Sequence, residues 1–288
     1  MTTFNQAVRK YEKKCRANNI PTETVMAFMV ELSKKERYSL YASFEENMPK
    51  ELEEAFDAGM ERILNDEPLE HVIGYSWFYG YRFIVNEDVL IPRVETEELC
   101  ANILGEMDRY FLHQDKIECA DIGTGSGAIA ITLCKEEPRV DMMATDISEE
   151  ALETAKKNAE MNEANVRFTA GDMLKPLIAE GKKLDVLISN PPYIPAEEEM
   201  ERSVVDFEPH VALFGGSDGL KFYREIFADC EKVLKEKAFM AFEMGWDQRE
   251  RMSALVESML PGWRYRILKD INGKDRMLFV YKNLEDKD

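Results

Sequence analysis

The feature that most constrains this chain is the stretch Leu184–Tyr193, LDVLISNPPY, where a buried strand runs into two adjacent prolines. Leu184 to Ser189 is a short run rich in branched apolar side chains, the pattern of a strand covered on both faces of a parallel sheet. Pro191 and Pro192 bar helical geometry at the residues before them and have no main-chain N–H to donate. They hold the carbonyls of Asn190 and Pro191 in a fixed, extended pose. A stiff corner with one amide side chain, free carbonyls and the Tyr193 ring, at the carboxyl end of a central strand, stands where open α/β sheets place their reactive groups.

The flanking sequence has the alternation such a strand requires. Residues 117–121 read as a strand, GTGSG opens a helix through AIAITLCKE, 140–145 form a strand ending at Asp146, 149–162 a helix, and 166–169 a strand ending near Asp172. After the corner come a helix near 219–235, a strand at 238–243, a helix near 247–260, and a hairpin of 263–269 with 276–282 that makes an antiparallel edge. This spacing predicts an α/β fold with a doubly wound, Rossmann-like parallel sheet over 96–288. Residues 1–75 instead carry apolar residues at helical spacing (Val25, Phe28, Met29, Leu32) with breaks at Pro21 and Pro49, which predicts a small N-terminal all-helical domain. Between them, 76–95 alternates aromatic and branched residues around Gly80 and the Asn86-Glu87-Asp88 turn, so a β-hairpin is expected to join the two. Thr96 is expected to cap a helix running to about Tyr110, with Glu97 and Glu98 favoured in its first turn. In isolation Arg93 and Glu97 read as a surface ion pair.

The formal net charge of -19 excludes more than it suggests. A protein that grips phosphate backbones shows a basic face, so direct nucleic-acid binding is not expected, and a basic protein surface would be attracted. Five cysteines without C-x-x-C spacing and three scattered histidines predict reduced thiols and no metal site. The opening residues lack the apolar core of a signal peptide and no uncharged run reaches transmembrane length, so a cytoplasmic protein is the expectation; it is expected to act as a monomer.

Gly123, Gly125 and Gly127, with Thr124 between the first two, bring backbone close to a ligand. A glycine turn alone suits a dinucleotide equally well, but this G-x-G-x-G is preceded by Asp121 and lacks the G-x-G-x-x-G of a pyrophosphate cradle. Carboxylates recur at successive strand ends: Asp146 where ribose hydroxyls are held, and Asp172 within reach of an adenine amine. Three acids and the glycines at one sheet edge describe an S-adenosylmethionine site, and a rim without phosphate-binding Lys or Arg suits a positive sulfonium. Methyl transfer from a sulfonium to a planar –NH2 group is hindered because the nitrogen lone pair is delocalised. The Asn190 side-chain oxygen and the Pro191 carbonyl can accept its two N–H groups, orienting the nitrogen and stabilising the developing charge, with Tyr193 stacked on the flat group. This suits a glutamine amide and an adenine amine alike.

Taken together, EPLEHVIG at 67–74, LIPRVETEEL at 90–99, DIGTGSGAIAI at 121–131, ISNPPYIP at 188–195, FEPHVALFGGSDGLKFYREI at 207–226 and DINGKDRML at 270–278 resemble the release-factor glutamine methyltransferases over nearly the whole chain. The resemblance implies a class I S-adenosylmethionine-dependent methyltransferase domain, with S-adenosylhomocysteine as product, and a helical domain that helps dock the substrate. The substrate it implies is the glutamine of the Gly-Gly-Gln motif in class 1 peptide chain release factors. It further implies that Asn190, Pro191, Pro192 and Tyr193 hold the glutamine amide, that Gly123, Asp146 and Asn190 line the cofactor, and that Arg93 and Glu97 belong to the active-site wall. Two rivals are a sister enzyme acting on a glutamine of a ribosomal protein, and an adenine amino-methyltransferase acting on nucleic acid. Against the second stand Glu197, Glu198, Glu199 and Glu201, directly after the corner where a phosphate backbone would pass. Val94, where the family often has a second proline, and Lys235-Glu236-Lys237-Ala238, in place of a glycine-containing turn, depart from the pattern and bear on loop conformation.

Overall fold

The computed structural model describes residues 2–197 and 206–285. They divide into two compact units, one of 2–75 with 206–207, the other of 76–197 with 208–285.

The first unit is helical: α1 Phe4–Ala17, α2 Glu23–Ser33, α3 Arg37–Ala42, α4 Lys50–Leu64 and α5 Leu69–Ile73. A reciprocal cap starts α1, the Thr3 hydroxyl accepting from the Gln6 N–H at 3.2 Å while the Gln6 side chain accepts from the Thr3 N–H at 3.0 Å. The stripe at Val25, Phe28 and Met29 is core, with Leu32 packed at its margin, and the Phe28 and Phe56 rings stack 5.5 Å apart.

The second unit opens with a hairpin, β1 Tyr75–Phe78 and β2 Tyr81–Ile84, turned by Tyr79 and Gly80 at φ +52° and +79°, the left-handed pair a two-residue hairpin needs. The hairpin packs into this unit. Asn158 of α8 (Glu149–Met161) donates to the Ile84 carbonyl at 3.0 Å and accepts the Ile84 N–H at 2.6 Å, and Glu97 accepts the Tyr79 N–H at 2.7 Å. The Asn86–Asp88 turn follows the hairpin, with the Asn86 side chain accepting the Asp88 N–H at 3.2 Å.

The sheet has strands β3 Ile117–Ile122, β4 Val140–Asp146, β5 Val166–Ala170, β6 Leu184–Ser189, β7 Leu234–Glu243, β8 Arg264–Lys269 and β9 Asp275–Lys282, in the order β5-β4-β3-β6-β7-β9-β8. All pairings are parallel up to β7, and β9 runs antiparallel between β7 and β8. The helices are α6 Val94–Phe111, α7 Ala128–Glu136, α8, α9 Lys175–Ala179, α10 Lys221–Val233 and α11 Arg249–Met259. On one face Leu99, Ile103 and Ile131 pack with Val186 and Ile188, and on the other Leu177, Tyr223 and Ile226 pack with Leu184 and Leu187. From Val186 to Ile188 the side chains alternate between the two cores, the doubly wound arrangement expected, while Leu184 lies before the register slip and joins the second core.

Three local expectations change. Arg93, not Thr96, stands at the N-terminus of α6, and Thr96 lies on its first turn with only 4% exposure. Arg93 and Glu97 do not pair, because Glu97 is held by the hairpin turn and Arg93 turns to Glu208 at 2.6 Å. Lys235–Ala238 lie within β7, where the register slips between Leu184↔Leu234 and Val186↔Phe239. The slip has a use: Lys235 reaches Asp185, buried in the middle of the sheet, at 2.7 Å and so supplies the partner a buried carboxylate requires. Among the described residues no helix is long and apolar enough to cross a membrane, and all five cysteines are free thiols.

Candidate active site

Strand register assembles the site. The sheet order reverses between β3 and β6, which opens a crevice at their carboxyl ends. Ile122 pairs with Thr145 on one side and Ser189 on the other, and Ser189 pairs with Phe242. The residues that follow these pairs, Asp146, Gly123, Asn190 and Glu243, are thereby set in a row. A cleft of about 340 Å³ opens over the row, lined among others by Gly123, Thr124, Gly125, Asp146, Ile147, Asp172, Asn190 and Pro192.

The glycine turn folds against β4: the N–H groups of Gly123 and Thr124 donate to the Thr145 carbonyl at 2.8 and 3.0 Å, and that of Gly125 to the Asp146 carboxylate at 2.8 Å. Gly123 and Gly125 have φ of +72° and +53°, and a Cβ on either would meet no protein atom within 4 Å. Such a Cβ would occupy the cleft, so the bare backbone leaves the room a close-lying adenosyl group needs. Gly127 serves otherwise. Its Cβ would stand 3.2 Å from that of Ala155, so it sets the packing of α7 on α8 and does not line the cleft.

The acids divide similarly. Asp146 accepts from the Ser148 N–H at 3.0 Å; burial raises its pKa, while the surrounding main-chain N–H groups hold it down. Asp172 lines the cleft and bridges Lys175 at 2.5 Å. Asp121 lies beneath the glycine turn, 1% exposed and outside the cleft lining, accepting the Thr124 hydroxyl at 2.7 Å. Burial raises its carboxyl to about 7, against the Thr124 bond and with the Asp146 charge adding to the rise. An acid raised on folding binds more protons folded than unfolded between the two pKa values. Its contribution to stability is therefore lost as pH rises from about 4 to about 7 and is level above. Asp121→Asn should remove that loss. Melting temperatures followed across this window should show the variant gaining on the wild type by up to about 4 kcal/mol of stability; a constant difference would contradict the burial argument.

At the corner, Asn190 and Pro192 line the cleft and Pro191 is buried. The Tyr193 ring is not in the cleft, contrary to the stacking expected: it packs against the core and its hydroxyl donates to Glu243 at 3.2 Å. The reason is Glu243, a carboxylate only 2% exposed that needs donors; Thr96 supplies the other at 2.5 Å. Burial raises the pKa of Glu243, opposed by the Thr96 bond and the Arg276 charge. The Asn190 amide nitrogen lies 3.5 Å from the Thr96 hydroxyl. The stretch after Phe207 folds back on the corner, with Ile194 N–H on the Leu213 carbonyl at 3.1 Å and Gly215 N–H on that of Ile194 at 2.8 Å.

Arg93 lines the cleft, but Glu97 does not. The rim is also less anionic than expected, since Lys221 lines it as Arg93 does, its ammonium 4.9 Å from the Phe222 ring centre. Of the acidic run after the corner, Glu198, Glu199 and Glu201 lie outside the described residues. Sequence reasoning missed Thr96 as a site residue, and with it Glu208 and Glu243. Glu243 ends a strand as Asp146 does, so the rule that selected Asp146 would have found it.

A doubly wound sheet with a glycine turn after its first strand, an acid ending its second and Asn-Pro-Pro-Tyr after its fourth defines a class I S-adenosylmethionine-dependent methyltransferase. The "Methyltransferase small domain" family matches residues 106–207 and the "PrmC N-terminal domain" family matches 6–74. The release factor glutamine methyltransferase of Bacillus subtilis is 45% identical over 252 residues, covering 86% of this chain and 88% of the relative; that of Bacillus cereus is 44% identical over 249, with the same coverage. A methyltransferase crystal structure from Pyrococcus furiosus shares the fold, with a TM-score of 0.55 at 19% identity over 79% of this chain and 100% of that one. The chain belongs to the release factor glutamine methyltransferase family.

Proposed function

We propose that this enzyme methylates the side-chain amide nitrogen of the glutamine in the Gly-Gly-Gln motif of class 1 peptide chain release factors, and so supports translation termination. The observation that carries the reading is the register that sets Asn190 beside the glycine turn, at the edge of one cleft.

When bound, S-adenosylmethionine supplies an electrophilic methyl on a sulfonium. The chain's own part is to make a poor nucleophile attack. The Asn190 side-chain oxygen accepts one N–H of the glutamine amide; a main-chain carbonyl of the same corner, assigned to Pro191 by the family pattern, accepts the other. Two acceptors fix the plane of the amide, direct its nitrogen along the line of attack and stabilise positive charge as the bond forms. Gly123, Thr124, Gly125, Asp146 and Asp172 are the proposed cofactor residues; Asp121 supports the turn from beneath and Gly127 seats the helix that follows it. Arg93, held by Glu208, forms part of the substrate wall, and Glu97 supports it through the hairpin. The helical unit is assigned to docking the release factor, and the enzyme acts as a cytoplasmic monomer without binding nucleic acid or membrane.

Purified enzyme with labelled cofactor and a recombinant release factor should give one methyl group on the Gly-Gly-Gln glutamine, and none when that glutamine is alanine. Label appearing instead on a ribosomal protein or on nucleic acid would overturn the substrate assignment.

A further inference from the structure

A primary amide has nearly the same shape either way round, and Asn190 serves the chemistry above only with its oxygen toward the cleft. The corner's prolines fix its backbone but do not choose which end of the side chain faces the substrate. The choice is made behind the corner. Glu243 is buried at the end of β7, and its two oxygens lie 2.5 Å from the Thr96 hydroxyl and 3.2 Å from that of Tyr193. The Thr96 hydroxyl donates to Glu243, and the ionised carboxylate, which only accepts, keeps that proton committed. What Thr96 turns toward Asn190, at 3.5 Å, is a lone pair. That lone pair takes the Asn190 NH2 group.

We propose that Thr96 and Glu243 are positioning residues that hold the Asn190 amide with its oxygen toward the acceptor nitrogen. The proposal rests on the methyl-transfer reading and deepens it: one polar chain crosses from α6 to β7 and sets the polarity of the one amide at the corner. With the hydroxyl gone, or with its proton released by loss of the carboxylate, the Asn190 oxygen is free to turn inward and the NH2 group to face the substrate's own N–H donors.

The test is Thr96→Val, Thr96→Ser and Glu243→Met assayed against an intact release factor, with binding of S-adenosylhomocysteine measured by calorimetry. Thr96→Val and Glu243→Met should each lower kcat by about 100-fold, the scale set by losing one oriented group at a reacting centre. KM and cofactor-product affinity should stay within about threefold, and Thr96→Ser should keep kcat within about threefold of wild type. A chain that merely fills buried space would lower the melting temperature and leave kcat unmoved. Wild-type kcat in Thr96→Val or in Glu243→Met, or equal impairment of Thr96→Ser and Thr96→Val, overturns the proposal; where a variant at one position fails to fold, the variant at the other decides. No glutamine methylation by the wild type would instead remove the reading on which it rests.

Discussion

Replacing Asn190 by alanine should lower kcat for release-factor methylation by about 10³-fold while leaving cofactor affinity within about threefold. The asymmetry follows from where Asn190 sits. The glycine turn and Asp146 meet the cleft on one side of the row; Asn190 follows β6 on the other, beside Thr96 and Glu243. Its loss removes an acceptor that aligns the amide and stabilises charge developing on nitrogen, a contribution made mostly in the transition state. Single-turnover rates and calorimetric titration with S-adenosylhomocysteine separate the two effects. Equal loss of both would make Asn190 a cofactor residue and leave the amide without a clamp.

Gly219→Ala should be nearly as damaging although position 219 lies outside the cleft lining. Gly219 adopts φ +73°, and a Cβ there would come 2.2 Å from the Tyr193 carbonyl oxygen and 2.6 Å from the Gln248 amide nitrogen. That Gln248 nitrogen donates to the same carbonyl at 2.9 Å, so the methyl would push apart the contacts that seat the corner. Left-handed strain and the overlap together should cost about 3 kcal/mol or more of stability, and a shift of the corner by about 1 Å should cost about 10²-fold in kcat. Gly181 is the control. It has φ +62° but an added Cβ meets nothing within 4 Å, so Gly181→Ala carries the strain without the overlap and should cost about 1 kcal/mol with kcat unchanged. Chemical denaturation and kcat measured on both variants check the contrast; similar losses at the two positions would mean that backbone strain, not the seat of the corner, is what Gly219 relieves.

What could be read in the sequence was what period and punctuation encode. Buried strands announce themselves as short branched runs, and glycine or proline marks their ends, so β3 to β7, the glycine turn and the proline corner were expected close to where they stand. Side-chain direction was not legible. Tyr193 looked like a stacking platform because an aromatic ring next to a flat guest suggests one, yet a buried Glu243 fifty residues on claims its hydroxyl. Thr96 looked like a helix cap because its residue type favours that place; Arg93 takes the terminus and Thr96 turns to the same carboxylate. Arg93 seemed destined for the neighbouring Glu97, whereas Glu208 of the FEP stretch reaches it from 115 residues away. Each miss concerns a partner brought in by sheet order, which no local pattern records. Adjacency alone makes Gly127 and Asp121 look like ligand contacts; one packs a helix and the other lies under the turn.

The clamp at Asn190 is tested most directly by a crystal structure of the enzyme with S-adenosylhomocysteine and a Gly-Gly-Gln peptide. The glutamine amide nitrogen should lie about 3 Å from the Asn190 side-chain oxygen, with the Asn190 NH2 group on Thr96. A glutamine amide bound away from the corner, or an Asn190 that presents its NH2 group to the peptide, would contradict it.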